Sequence, residues 1–116
     1  MSNKTENLTV PQGDYGSNLD FTLLDSEGEA RKDLEGKTPM LKLWSPGKPN
    51  SVILEGECDY DEVLTHVCHY FIIQGDFDTV GRYLYEIELV TETSVESALS
   101  GWLTVVESPF TAVEES

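Results

Sequence analysis

The stretch GDFDTVGRYLYEIEL, residues 75–89, sets an aspartate, a glycine and two tyrosines ahead of an alternating run. From Arg82 onward, Tyr83, Tyr85, Ile87 and Leu89 share one face, and Arg82, Leu84, Glu86 and Glu88 share the other. That two-residue period is the pattern of a half-buried strand. Gly81 marks the turn that starts it. The remaining residues must supply what this strand packs against.

Working outward, the chain reads as short extended segments parted by turns. LTV (8–10) ends at Pro11, and QGDYGSN leads into LDFTLLD, where Leu19, Phe21 and Leu23 alternate with Asp20, Thr22 and Leu24. SEGEARKDLEGK (26–37) carries two glycines and many charges, the composition of a loop or irregular hairpin connection. TPMLKLW (38–44) is a strand bounded by SPGKPN, whose prolines and glycine forbid continuation into a sheet interior. SVILEGECDY, THVCHYFII, residues 82–90 and residues 99–106 supply further strands. Between the first and second of these, residues 60–65 read as a short turn. The helix-like spacing of Val63, Val67 and Tyr70 is outweighed by the β-branched and aromatic residues of 67–73. About seven strands at such spacings predict an all-β antiparallel sandwich, without crossover helices.

Two sheets face to face make one thin core. The alternation nominates Phe21, Leu23, Leu41, Leu43, Val52, Leu54, Phe71, Ile73, Tyr85, Ile87, Leu103 and Val105 for it. A one-residue slip in any strand would exchange its inward set for its neighbours. Trp44 and Trp102, at strand ends, are either core edges or anchors in a protein interface.

The chain has 116 residues, a length suited to a single domain. Its 39 % hydrophobic content argues for a folded chain despite a net charge of -15. A field of that sign repels phosphate backbones, so nucleic acid is not an expected partner. The charge reads as a soluble or salt-adapted surface, or as a docking face for a basic protein or divalent cations. No apolar run reaches membrane-spanning length and MSNKTENLTV is too polar for a secretory signal, so no membrane partner is expected and synthesis is expected in a cytoplasm. Cys58 and Cys68 alone are too sparse for a disulfide scaffold.

The chemistry-bearing residues do not converge. Cys58, His66, Cys68 and His69 are all zinc-ligating types within a short interval. On an extended segment, however, His66 and Cys68 face one side and His69 the other. Asp59 and Asp61 are two among 22 acidic residues, fit at most for weak adventitious cation binding. There is no GxxxxGK, GxGxxG or GxSxG motif. The expectation is no enzyme, no catalytic residue, no cofactor and no metal.

DTVGRYLY resembles the tyrosine corner of immunoglobulin-like domains, in which a tyrosine near the start of strand F bonds back to earlier backbone. By that resemblance Asp78 and Gly81 turn the chain, Tyr83 makes the tie, and Tyr85 stands where an antibody-type domain carries its second cysteine. The spacing from Asp78 to Gly81 is one residue longer than in the commonest antibody pattern, and no Cys…Trp…Cys set completes it. More widely, QGDYGSNLDFTLLDSEGEARKDLEGKT, MLKLWSPG, SVILEGEC and QGDFDTVGRYLYEIELV, in this order from about Val10 to Glu107, resemble the N-terminal immunoglobulin-like domain of upper baseplate proteins from tailed phages. The resemblance implies that Asp14 and Leu19 lead into an early strand, and that Asp33, Leu34 and Gly36 form the turn before the next sheet segment.

It also implies a virion structural module without catalysis, here as a standalone domain. Residues 1–10 form an N-terminal arm and possible first strand, 11–107 the immunoglobulin-like β-sandwich, and 108–116 an acidic C-terminal tail. The expected role is an accessory decoration, baseplate or adaptor protein, made in a host cytoplasm and carried in the virion. Its expected partner is a major capsid or baseplate structural protein, contacted by many symmetry-related copies. Outside that class the alternative is a soluble carbohydrate- or receptor-binding module presenting Trp44 or Trp102.

Overall fold

A computed structural model describes residues 4–5, 7–48 and 51–107. Among them there is no helix, and nine strands form: β1 (Lys4–Thr5), β2 (Leu8–Pro11), β3 (Asn18–Thr22), β4 (Thr38–Trp44), β5 (Val52–Glu57), β6 (Asp59–Tyr60), β7 (Val67–Phe71), β8 (Gly81–Val90) and β9 (Val95–Val106). The larger sheet has the order β9-β8-β4-β5, with β1 and β2 both laid along the free side of β9. The smaller sheet is β3-β7-β6. The order is that of an immunoglobulin-like sandwich in which β3 to β9 take the places of strands B, C, C′, D, E, F and G.

The sandwich is not wholly antiparallel. β1 and β2 run parallel to β9, with Leu8 opposite Leu103 and Val10 opposite Val105. Val10 is thereby carried into the core, so the possible first strand within residues 1–10 is present, as part of β2, and packs with the sandwich. The proposed tail, 108–116, lies outside the described residues, as do Pro49 and Asn50 of the β4–β5 connection.

Alternation decides the layers. β4 buries Pro39, Leu41 and Leu43 and turns Met40, Lys42 and Trp44 outward, while β8 buries Tyr85, Ile87 and Leu89. Phe21 and Leu23 come from the β3 side, and Leu99, Leu103 and Val105 from β9. On the fully buried side chains the transfer gain is roughly 1.5–3 kcal/mol each, set against chain entropy of similar total size. Three of the expected core positions are corrected. Phe71 and Ile73 are exposed, each at 57 %, because β7 is inward at Cys68 and Tyr70, with Ile72 following in the same phase. This is the one-residue exchange that a period of two permits. Val52 is also exposed, because β5 carries an extra residue, Ile53, opposite the step from Leu43 to Trp44. That bulge rotates Val52 to the outer face.

At the corner, the Tyr83 hydroxyl donates to the Thr79 carbonyl at 2.8 Å. Gly81 does not act as the expected turn. It is the first residue of β8 and is absent from the glycines with positive φ. A Cβ placed there would stand 3.3 Å from the Tyr83 hydroxyl, so the missing side chain makes room for the tie. Asp78 is exposed, and its carbonyl accepts from the Gln12 side chain at 2.8 Å. Two residues past Tyr83, Tyr85 packs on Phe21 with ring centroids 5.6 Å apart and planes tilted by 45°. The two rings join β3 to β8, where an antibody domain has its inter-sheet disulfide.

The 26–37 connection is an irregular hairpin. Leu24 bridges to Ala30, and Asp25 Oδ1 accepts the Glu27 and Glu29 amides. Arg31 then fastens the loop to β9, contacting Asp33 at 2.8 Å and Glu96 at 2.9 Å. The hydrogen bond from Arg31, then that from Lys37, holds the Asp33 carboxyl below the usual carboxylate range.

Candidate docking face

The outward residues of the larger sheet fall into rows across its strands. Val52 is opposite Trp44, Trp44 opposite Leu84, and Leu84 opposite Trp102. Four apolar side chains from β5, β4, β8 and β9 therefore lie side by side, over roughly 14 Å at about 4.8 Å per strand step. Trp44, Leu84 and Trp102 are half-buried and Val52 is 45 % exposed. The backbone amide of Trp102 donates to Asn7 Oδ1 at 3.2 Å, which holds the β9 edge beside the row.

Charges flank this row unequally. On one side is Arg82, whose guanidinium lies over the Trp102 ring at 3.8 Å from its centroid. Such stacking contributes about 0.5–1 kcal/mol at an exposed site. On the other side are Glu55, Lys42 and Glu86, then Glu57, Met40 and Glu88. Lys42 reaches Glu88 at 3.1 Å and Glu55 at 3.9 Å. The hydrogen bond that Lys42 donates to Glu88, helped by the fields of Glu88, Glu55 and Glu86, raises the Lys42 pKa. The face is thus an apolar row with a cationic border on one side and a mainly acidic border on the other.

Other surfaces are more self-contained. A hollow of about 520 Å³ beside Asp25, Arg31, Asp33 and Glu96 is walled by the paired charges just described. On the smaller sheet, His69 Nδ1 lies 2.7 Å from Asp20 Oδ1 and its Nε2 lies 2.9 Å from Asp61 Oδ1. The hydrogen bond to Asp61, then that to Asp20, raises the His69 pKa. Asp61 also accepts the Val63 and Leu64 amides, and it is pulled down to about 2, first by the Leu64 amide and then by His69. Exposed Phe71 sits opposite Asn18, a polar neighbour, so it does not extend an apolar row.

Of the four zinc-type residues, the two cysteines and His69 are separated by the sheet. Cys58 and Cys68 are buried free thiols, and contact with Cys58 together with burial pushes the Cys68 thiol up. His69 points to the opposite face, where carboxylates occupy both ring nitrogens. Among the described residues no group of three or more His, Cys, Asp or Glu side chains is placed to hold a metal ion.

Sequence reasoning left Trp44 and Trp102 as either core edges or interface anchors, and the structure places both, half-buried, in one outward row. It missed Leu84 as the link between them and assigned Val52 to the core. The outward phase of Leu84 was readable from the alternation, but alignment of three strands was not. Compared with known protein families and with curated proteins, the sequence matches none of them.

Proposed function

We propose that this protein is a non-enzymatic structural component of a phage virion, an accessory decoration, baseplate or adaptor protein that docks on a larger assembly, and that the outer face of its larger sheet is a protein–protein contact within that assembly. The observation that carries the docking reading is the in-register row Val52, Trp44, Leu84 and Trp102. Contiguous apolar surface with a polar rim is how protein interfaces are built, with aromatic residues and arginine over-represented at their energetic centres. The virion setting is supported by the resemblance of the blocks from Val10 to Glu107 to baseplate immunoglobulin-like domains. The sandwich supplies a rigid support for such a face.

A carbohydrate-binding reading would use the same indoles. Arg82 covers a face of Trp102 on which a sugar ring would stack, and that favours protein docking. The test is made on purified particles. The chain is expected in them at many copies, and Leu84→Asp, which places a charge in the centre of the row, is expected to abolish attachment while leaving the isolated fold intact. Particles devoid of the chain, with free protein in producing cells, would sink the virion assignment.

A further inference from the structure

The outward charges of β8 are arranged symmetrically about Leu84. Arg82 precedes it by two residues and Glu86 follows it by two, each about 7 Å away along the strand. They carry opposite signs. Among the described residues neither forms an ion pair: Lys42 is taken by Glu55 and Glu88, Arg31 by Asp33 and Glu96, and Arg82 lies over Trp102. A strand that presents cation, apolar residue and anion at even spacing is complementary to its own reversed copy.

We infer that the occupant of this face is a second copy of the same chain, packed face to face about a two-fold axis that runs along the apolar row. The inference rests on the reading of the face as a protein-docking surface and names its partner. Such an axis puts Leu84 on the second copy's Leu84 and reverses β8, so that Arg82 meets the second copy's Glu86 and Glu86 meets its Arg82. Trp44 meets Trp44, and Trp102 meets Trp102. This is an isologous contact, in which one patch serves both subunits. Sheets pack about 10 Å apart, and arginine and glutamate side chains are long enough to meet across that gap despite a crossing angle of about 30°. The acidic border falls on the second copy's Arg82 and Thr104 side, not on its own kind. The remaining repulsion between two chains of net charge -15 is long-range and is screened beyond about 8 Å at physiological salt.

Sedimentation equilibrium of the full chain at about 0.15 M salt tests the inference. A concentration-dependent monomer–dimer equilibrium is expected. Arg82→Glu and Glu86→Arg should each weaken it at least about tenfold, because each places like charges opposite one another twice. Mixed together, the two variants should associate more tightly than either does alone, since each then presents to the other the charges it lacks. Leu84→Asp should abolish association in every background. A wild-type chain that stays monomeric, or single variants that gain nothing on mixing, overturns the inference. If that chain still loses particle attachment on Leu84→Asp, the docking reading survives without it; if attachment is also indifferent to Leu84→Asp, both fall.

Discussion

The two faces of β8 handle their side chains in opposite ways. Inward, Tyr83 has its hydroxyl tied to Thr79, Tyr85 is packed on Phe21, and Ile87 and Leu89 are fully enclosed. Outward, Leu84 stands half-buried between two half-buried tryptophans, with Arg82 and Glu86 beside it. The same two-residue alternation produces both faces. What differs is the second layer: β3 and β7 complete the inner face, while no element of the described chain covers the outer one. A sheet face this apolar in an otherwise acidic protein is therefore better explained by a contact to be made than by folding.

The largest effect should separate these faces directly. Tyr85→Ala removes a fully buried ring and half of the inter-sheet aromatic pair, and is expected to cost about 3–5 kcal/mol. Leu84→Ala, on the same strand, should cost the isolated chain less than about 1 kcal/mol. Urea unfolding monitored by circular dichroism measures both. Comparable losses would mean that the outer face is as structural as the inner one, and the contrast would collapse.

A second substitution probes how closely the inner face is filled. β5 crosses the smaller sheet at Gly56, where an added Cβ would run into the ring of Tyr70. Tyr70 cannot easily give way, because its hydroxyl donates to Asp76 at 2.6 Å. Gly56→Ala should therefore destabilise by about 1–3 kcal/mol through overpacking. The neighbouring outward change, Glu57→Ala, should be near neutral. Equal midpoints for Gly56→Ala and the wild type would show that β5 is free to shift.

A smaller effect is expected at the corner. Tyr83→Phe keeps the ring and deletes the bond to Thr79, at a cost of about 1 kcal/mol. The denaturant slope should not change, since no surface is newly buried or exposed. A midpoint equal to that of the wild type would mean that water replaces the carbonyl at no cost.

The sequence was most legible where alternation was long. β4 read correctly in both phase and extent and β8 in phase, with only Gly81 left out of its extent, since seven and ten residues of one period leave little freedom. It misled where the chain was short or interrupted. β7 has five residues, two of them aromatic neighbours, and hydrophobicity alone favoured Phe71 over Tyr70 for the core. Tyr70 is buried because its hydroxyl finds Asp76, a partner six residues on that no pattern announces. The Ile53 bulge likewise turned Val52 outward without a local signal. The parallel edge of β1 and β2 was hidden for a different reason, since its registers join residues some 95 positions apart. The docking row shares that obscurity: each member was visible, but their adjacency is a property of strand order.

The outer faces of the two sheets offer the finest comparison, because one closes its charges within the chain. His69, central in the smaller sheet, lies between Asp20 of β3 and Asp61 of the turn after β6, and its directly paired neighbour on β6 is Asp59. With a carboxylate at each ring nitrogen, only the protonated imidazole can donate to both. Its folded pKa is accordingly raised. A raised pKa contributes stability that is complete below the unfolded value, about 6.5, and is lost as pH rises through the folded value. Asp61 is shifted the other way, to about 2, so its contribution is present above its ordinary carboxylate value and is lost as the pH falls toward that lower one. The strap should consequently be strongest in mildly acidic solution. His69→Gln, which keeps a polar side chain but cannot carry the charge, should lower the urea midpoint more at about pH 5.5 than at about pH 9, by less than the change at Tyr83. The exposed pairs should also weaken with added salt. A gap that is constant from acidic to alkaline pH would show that the imidazolium does not strap the sheet, and that the outer faces differ in apolar area but not in how their charges are held.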